Sequence, residues 1–139
     1  MSVDNCEQRE HLAALIVDQT VDAVIYADAQ GVIRLWNAAA EQIFGFAREE
    51  AAGASLDLIV PDRLREAHWR GYRAAMSSGK TRLGGRATLT KGLHKSGSTV
   101  YVEMSFSLVR NTANQVVGSV AIARDVTARQ LKAREATAG

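Results

Sequence analysis

A chain of 139 residues, 47% hydrophobic and 23% charged, can bury one real core and has no room for a second domain of ordinary size. Its net charge of +2 comes from 17 basic and 15 acidic residues that are interspersed, with no basic stripe, which argues against nucleic-acid binding. The single cysteine, Cys6, excludes an internal disulfide and a cysteine metal cluster. No apolar run is long enough to insert in a membrane, and the opening MSVDNCEQRE lacks the basic and hydrophobic regions of a signal peptide, so the expected location is cytoplasmic.

In residues 7–17, Leu12, Leu15 and Ile16 recur at helical spacing among polar neighbours, predicting an amphipathic helix over residues 1–18 whose apolar face needs a partner. Val21 to Tyr26 and Val32 to Trp36 are rich in β-branched and aromatic residues, and the turn residues 28–31 between them predict a hairpin. Asn37 can cap the helix AAAEQIF, with Gly45 closing it. Pro61 opens a further helix over 61–78, ended by Gly79. Three strands follow at about 81–93, 99–110 and 115–124, separated by the turns His94–Ser98 and Asn111–Gln115. In the middle one, Val100, Val102, Met104, Phe106 and Leu108 alternate with Tyr101, Glu103, Ser105 and Ser107, the period of a strand with one face in the core.

From residue 12 to about 130 the order of these features resembles a PAS sensory domain. The resemblance is carried by LWNAAAEQIFGF, the helix after VPDR, the turn HKSGS, the strand GSVAIARD, and the closing Asp125-Val126-Thr127. It implies an α+β fold over residues 19–126: a five-stranded antiparallel sheet in the order 2-1-5-4-3, with short helices on one face enclosing a pocket. The closing triplet resembles the aspartate-hydrophobic-threonine run that leads many PAS domains into a signalling helix, here within residues 127–139. PAS domains detect ligands, light or redox state and pair with other proteins, and the fold alone does not settle which. The implied partners are a second copy of the chain and a signalling output domain. The stripe Leu12, Leu15 and Ile16, extended in the tail by Val126 and Leu131, is what a homodimer would bury.

His68 carries the sharper expectation. Leu64, His68, Gly71, Tyr72 and Ala75 share one stripe of their helix, so His68 should face the pocket. A neutral imidazole aimed into an apolar cavity suits the axial position of haem iron, and Gly71 leaves room for a flat macrocycle. VPDRLREAHWRGY also resembles the matching helix of bacterial haem-PAS oxygen sensors, which implies haem b with His68 as the iron ligand. A packed or hydrogen-bonded histidine without metal is the competing reading.

Downstream the pattern departs from those sensors. Counting without gaps from His68 to Gly97, the distal arginine of several such sensors falls at Thr88 and the distal methionine of others at Arg86. Arg86 shares a strand face with Thr88 and is either a ligand-side guanidinium or a solvated edge residue. Leu83 completes that end of the candidate set. Met104 and Phe106 fall where haem-PAS sensors place apolar distal residues, and Met104 is either a sixth iron ligand or, the favoured reading, part of the lining.

Trp36 and Trp69 are read as large packing residues in preference to cofactor-stacking ones. Leu56 stands where photoactive flavin domains of this family carry their reactive cysteine, which excludes cysteinyl-flavin photochemistry and leaves non-covalent flavin, a small apolar molecule or an empty pocket as the alternatives to haem. GLHKSGS lacks Walker spacing, Asp57, Asp62 and Glu66 read as helix-start or surface carboxylates, and no nucleophile-base-acid set is recognisable. The expected class is a non-enzymatic sensor.

Overall fold

The computed structural model describes the backbone of residues 2–138 and the side-chain environments of residues 5–137. Helix α1 (Ser2–Gln19) leads into β1 (Ala23–Asp28) and β2 (Ile33–Trp36), followed by α2 (Ala38–Phe44) and α3 (Arg48–Ala51). Short 3-10 turns at Leu56–Ile59 and Asp62–Leu64 precede α4 (Arg65–Ser78), then β3 (Thr88–Leu93), β4 (Thr99–Arg110), β5 (Val116–Asp125) and α5 (Thr127–Ala138). The five strands form one antiparallel sheet in the order β2-β1-β5-β4-β3, as the sequence implies.

Asn37 organises the first half of this arrangement. Its Oδ1 accepts hydrogen bonds from the Ala40 amide (3.1 Å), capping α2, and from the Val24 amide (2.9 Å) in β1. Its Nδ2 donates to the carbonyls of Val17 (2.7 Å) and Asp22 (3.0 Å). All four hydrogen-bonding positions of the amide are filled, so this buried polar side chain joins the end of α1, the start of β1 and the start of α2 without an unsatisfied atom. Gly45 closes α2 at φ 82°, the left-handed conformation in which a glycine meets no Cβ penalty. The hairpin turn is held by Asp28, whose Oδ1 accepts from the amides of Gln30 and Val32, both at 3.0 Å.

The core lies on the helix-covered face of the sheet, where Ile25, Ile33, Trp36, Phe44 and Val102 are fully enclosed. Trp36 and Phe44 pack with ring centroids 5.7 Å apart, and Trp36 Nε1 donates to the Phe46 carbonyl at 3.0 Å. The indole is thereby a packing residue with a satisfied polar tip.

Three local expectations are corrected. The strand expected over 81–93 begins only at Thr88, because Gly84 (φ 60°) and Gly85 (φ 85°) both adopt left-handed backbone that ends any extended run. The helix expected from 61 opens with the 3-10 turn Asp62–Leu64 and is α-helical from Arg65. Tyr101, which alternation places outward and wet, is buried by α5: its amide donates to Thr127 Oγ1 (2.9 Å), and the Arg134 guanidinium lies 4.9 Å from its ring centroid.

Among the described residues no helix is long and apolar enough to cross a membrane. The stripe on α1 stays open: Leu12 and Ile16 keep 57% and 59% of their surface, so the leader does not bury its apolar face against its own sheet.

Candidate functional site

Between the sheet and α4 lies a cavity of about 460 Å³, a volume in the range of small-ligand sites. Its sheet wall is made by Ile25 and Ala27 of β1, Ser119 and Ala121 of β5, Val102, Met104 and Phe106 of β4, and Thr90 and Gly92 of β3. Leu56, Ile59 and Val60 close one side, and α4 supplies Leu64, Ala67, His68, Gly71, Tyr72 and Ala75. The two alanines at inward positions of adjacent strands leave the floor open where larger β-branched residues would fill it. No acidic residue lines the cavity, whereas two basic residues, Arg82 and Lys91, do.

The helical stripe read from the sequence, Leu64 through Ala75, thus faces the cavity in full, and Met104 and Phe106 meet it from the sheet. Leu83, Arg86 and Thr88 lie outside the lining. The glycine turn carries Leu83 and Arg86 into solvent, where Arg86 Nε donates to the Leu83 carbonyl at 3.3 Å. Thr88 pairs with Met104 and so shares its face of the sheet, but it sits exposed beyond the end of the cavity. Trp69 also stays out of the lining, with Nε1 donating to Asp57 Oδ1 at 2.7 Å.

His68 is the cavity's one imidazole. Its ring lies 4.8 Å from that of Trp69, edge to face, and 5.8 Å from that of Tyr72. Nδ1 is buried with no hydrogen-bond partner. Burial holds the imidazole pKa below its ordinary 6.5, against the weaker opposing pull of Asp57. The ring is therefore neutral at pH 7, with a lone pair to offer.

A depressed histidine pKa also sets a pH dependence. Between the lowered folded value and the ordinary unfolded value near 6.5, the unfolded chain binds more protons, so stability rises with pH through that window and is lost as acid carries pH below it. Unfolding midpoints measured across that range should fall as the pH is lowered in the wild type and lose this component in His68→Phe. An unchanged profile in His68→Phe contradicts it.

At the end of the floor Tyr72 and Ser119 form a buried hydroxyl pair. Tyr72 Oη donates to the Asp28 carbonyl at 2.6 Å and lies 3.2 Å from Ser119 Oγ. Burial pushes the phenol pKa above 10, so it keeps its proton. Ser119 was not among the residues singled out from the sequence. The signal was present, since Ser119, Ala121 and Ala123 recur at period two along one face of the last strand.

Among the described residues no group of three or more His, Cys, Asp and Glu could hold a metal ion. What the site offers is a neutral imidazole, a hydroxyl pair and largely apolar walls, with Thr81, Arg82, Thr90 and Lys91 also in the lining.

A family model described as the PAS fold matches residues 17–131. The chain is similar to the Oxygen sensor protein DosP of Escherichia coli, 28% identical over 111 residues that make up 80% of this chain and 14% of that protein. It is also similar to the Sensor protein FixL of Bradyrhizobium diazoefficiens, 27% identical over 97 residues, 70% of this chain and 19% of that protein. The chain therefore spans less than a fifth of the length of these relatives. Among solved structures, the PAS domain of a protein from Colwellia psychrerythraea superposes with a TM-score of 0.73 at 26% identity, covering 84% of this chain and 96% of that one. Strand order, helix placement and a family match across most of the sequence agree, and the chain belongs to the PAS-fold family.

Proposed function

We propose that this chain is a sensory PAS module in which residues 19–126 form the sensing unit, the cavity takes haem b on His68, and the flanking helices pass occupancy to an output partner. The observation that carries the reading is the neutral, cavity-facing imidazole whose Nδ1 is buried with no hydrogen-bond partner. Gly71 adds to it: it lines the cavity, and a Cβ built there meets no atom within 4 Å, so the helix surface beside His68 is open to a flat ring. Met104 and Phe106 add apolar surface to the opposing sheet wall. Haem bound there would supply an iron position for a diatomic gas or a redox couple. Similarity to a protein named an oxygen sensor supports gas sensing as the role. No catalysis is assigned to the chain.

The visible spectrum of the purified protein tests this. A Soret band that grows to one equivalent on adding haem supports it, a yellow flavin spectrum replaces haem with flavin, and a colourless protein that takes up neither overturns the haem assignment. A second reading, an organic ligand, is favoured by one observation: the Tyr72 and Ser119 hydroxyls form a polar spot that a macrocycle with an apolar edge leaves unused.

We further propose that the working form is a homodimer, in the cytoplasm, with the α1 stripe in the interface. Exposure of Leu12 and Ile16 on an otherwise polar helix supports it. Leu12→Glu with Ile16→Glu leaves the Asn37 anchor untouched, and sedimentation should then report a monomer where the wild type is dimeric at tens of micromolar, roughly the range in which modest interfaces hold. A wild-type monomer under those conditions rejects the dimer.

A further inference from the structure

We infer that Ser119 is a recognition residue, and that the cavity selects a small, neutral, aromatic molecule that presents an N–H or O–H group to the Ser119 oxygen. This deepens the organic-ligand reading, the alternative to haem in this cavity, and rests on the cavity being the ligand site.

The argument is a count of protons. Tyr72 has one hydroxyl proton, and the 2.6 Å contact commits it to the Asp28 carbonyl. The 3.2 Å contact between the two hydroxyls must then use the serine proton, donated by Ser119 Oγ to Tyr72 Oη. Ser119 is left with acceptor lone pairs and no protein donor for them, although its side chain lines the cavity and the residue is only 3% exposed. The hydroxyl already has one partner in Tyr72, and its free lone pairs are the place where a ligand's N–H or O–H can bind.

The surroundings define the rest of the ligand. Tyr72 and Phe106 stand edge to face with centroids 6.0 Å apart, and His68 lies on the other side of Tyr72, so the walls nearest the hydroxyl pair are aromatic and receive a planar body. A cationic donor is disfavoured, because no carboxylate lines the cavity while two cationic residues, Arg82 and Lys91, do. A neutral N–H or O–H on an aromatic ring satisfies both conditions.

Indole and its carbocyclic isostere indene differ only in that donor, and calorimetric or ligand-observed NMR titration of the purified chain with each is the test. Wild type should bind indole about tenfold more tightly, the scale of one hydrogen bond to a neutral acceptor, and Ser119→Ala should bring the ratio near one while indene binding is retained. Should Ser119→Ala not fold, Ser119→Cys keeps a similar volume with a much weaker acceptor and reads the same ratio. Equal affinities in the wild type, or a preference that survives both substitutions, overturn the inference while leaving the cavity as a ligand site. Failure of either molecule to bind at millimolar concentration overturns the cavity reading and the inference together.

Discussion

Replacing Asn37 with alanine is expected to lower the unfolding free energy by about 3 kcal/mol, several times the loss from an ordinary exposed cap. The side chain is 2% exposed and makes four hydrogen bonds to backbone groups of three separate segments. Alanine strands the amides of Val24 and Ala40 and the carbonyls of Val17 and Asp22 in a site that water enters poorly. Asn37→Ser can still cap the Ala40 amide, so its loss should be intermediate. Urea unfolding of the three proteins provides the comparison, and a deficit below about 1 kcal/mol in Asn37→Ala would show that these bonds are readily replaced by solvent.

Leucine at position 71 should separate binding from stability. Gly71 lies in the interior of α4, where replacing glycine gains about 1 kcal/mol of helix propensity, and a Cβ there meets nothing within 4 Å. Gly71 lines the cavity but is itself exposed, so the added side chain meets open space at the cavity's edge, next to Tyr72 in the chain. Gly71→Leu should therefore fold at least as stably as the wild type and lose affinity for any cavity ligand by more than tenfold. A variant that is equally stable and binds as well would mean that the ligand does not use the space along the helix.

Those two positions show which parts of the molecule a single sequence discloses. Asn37 was readable as a helix cap from its place before AAAEQIF, but two of its four partners, Val17 and Asp22, lie across a chain turn that no local pattern specifies. The α4 stripe was readable because a helix presents every third and fourth residue to one side, and Leu64, His68, Gly71, Tyr72 and Ala75 all reached the cavity. The strand from Thr99 to Arg110 was readable from alternation as well, apart from the burial of Tyr101.

What escaped the sequence was set by backbone detail and by contacts distant along the chain. Two consecutive glycines in left-handed conformation delay the third strand until Thr88, so counting residues without gaps put Arg86 and Thr88, with Leu83 beside them, in a wall to which Arg82, Thr90, Lys91 and Gly92 contribute instead. Alternation also left Tyr101 in water, since the helix that covers it follows a whole strand later. Ser119 became meaningful only beside Tyr72, from which it is separated by 47 residues.

The most direct measurement is an equilibrium haem titration of the wild type and His68→Ala, followed at the Soret band and accompanied by circular dichroism to establish that both are folded. The account predicts saturation at one haem per chain in the wild type and loss of that saturable phase in the folded His68→Ala protein, because the substitution removes the cavity's one imidazole and leaves the surrounding walls in place. Equal stoichiometry and an unchanged spectrum in folded His68→Ala would contradict it.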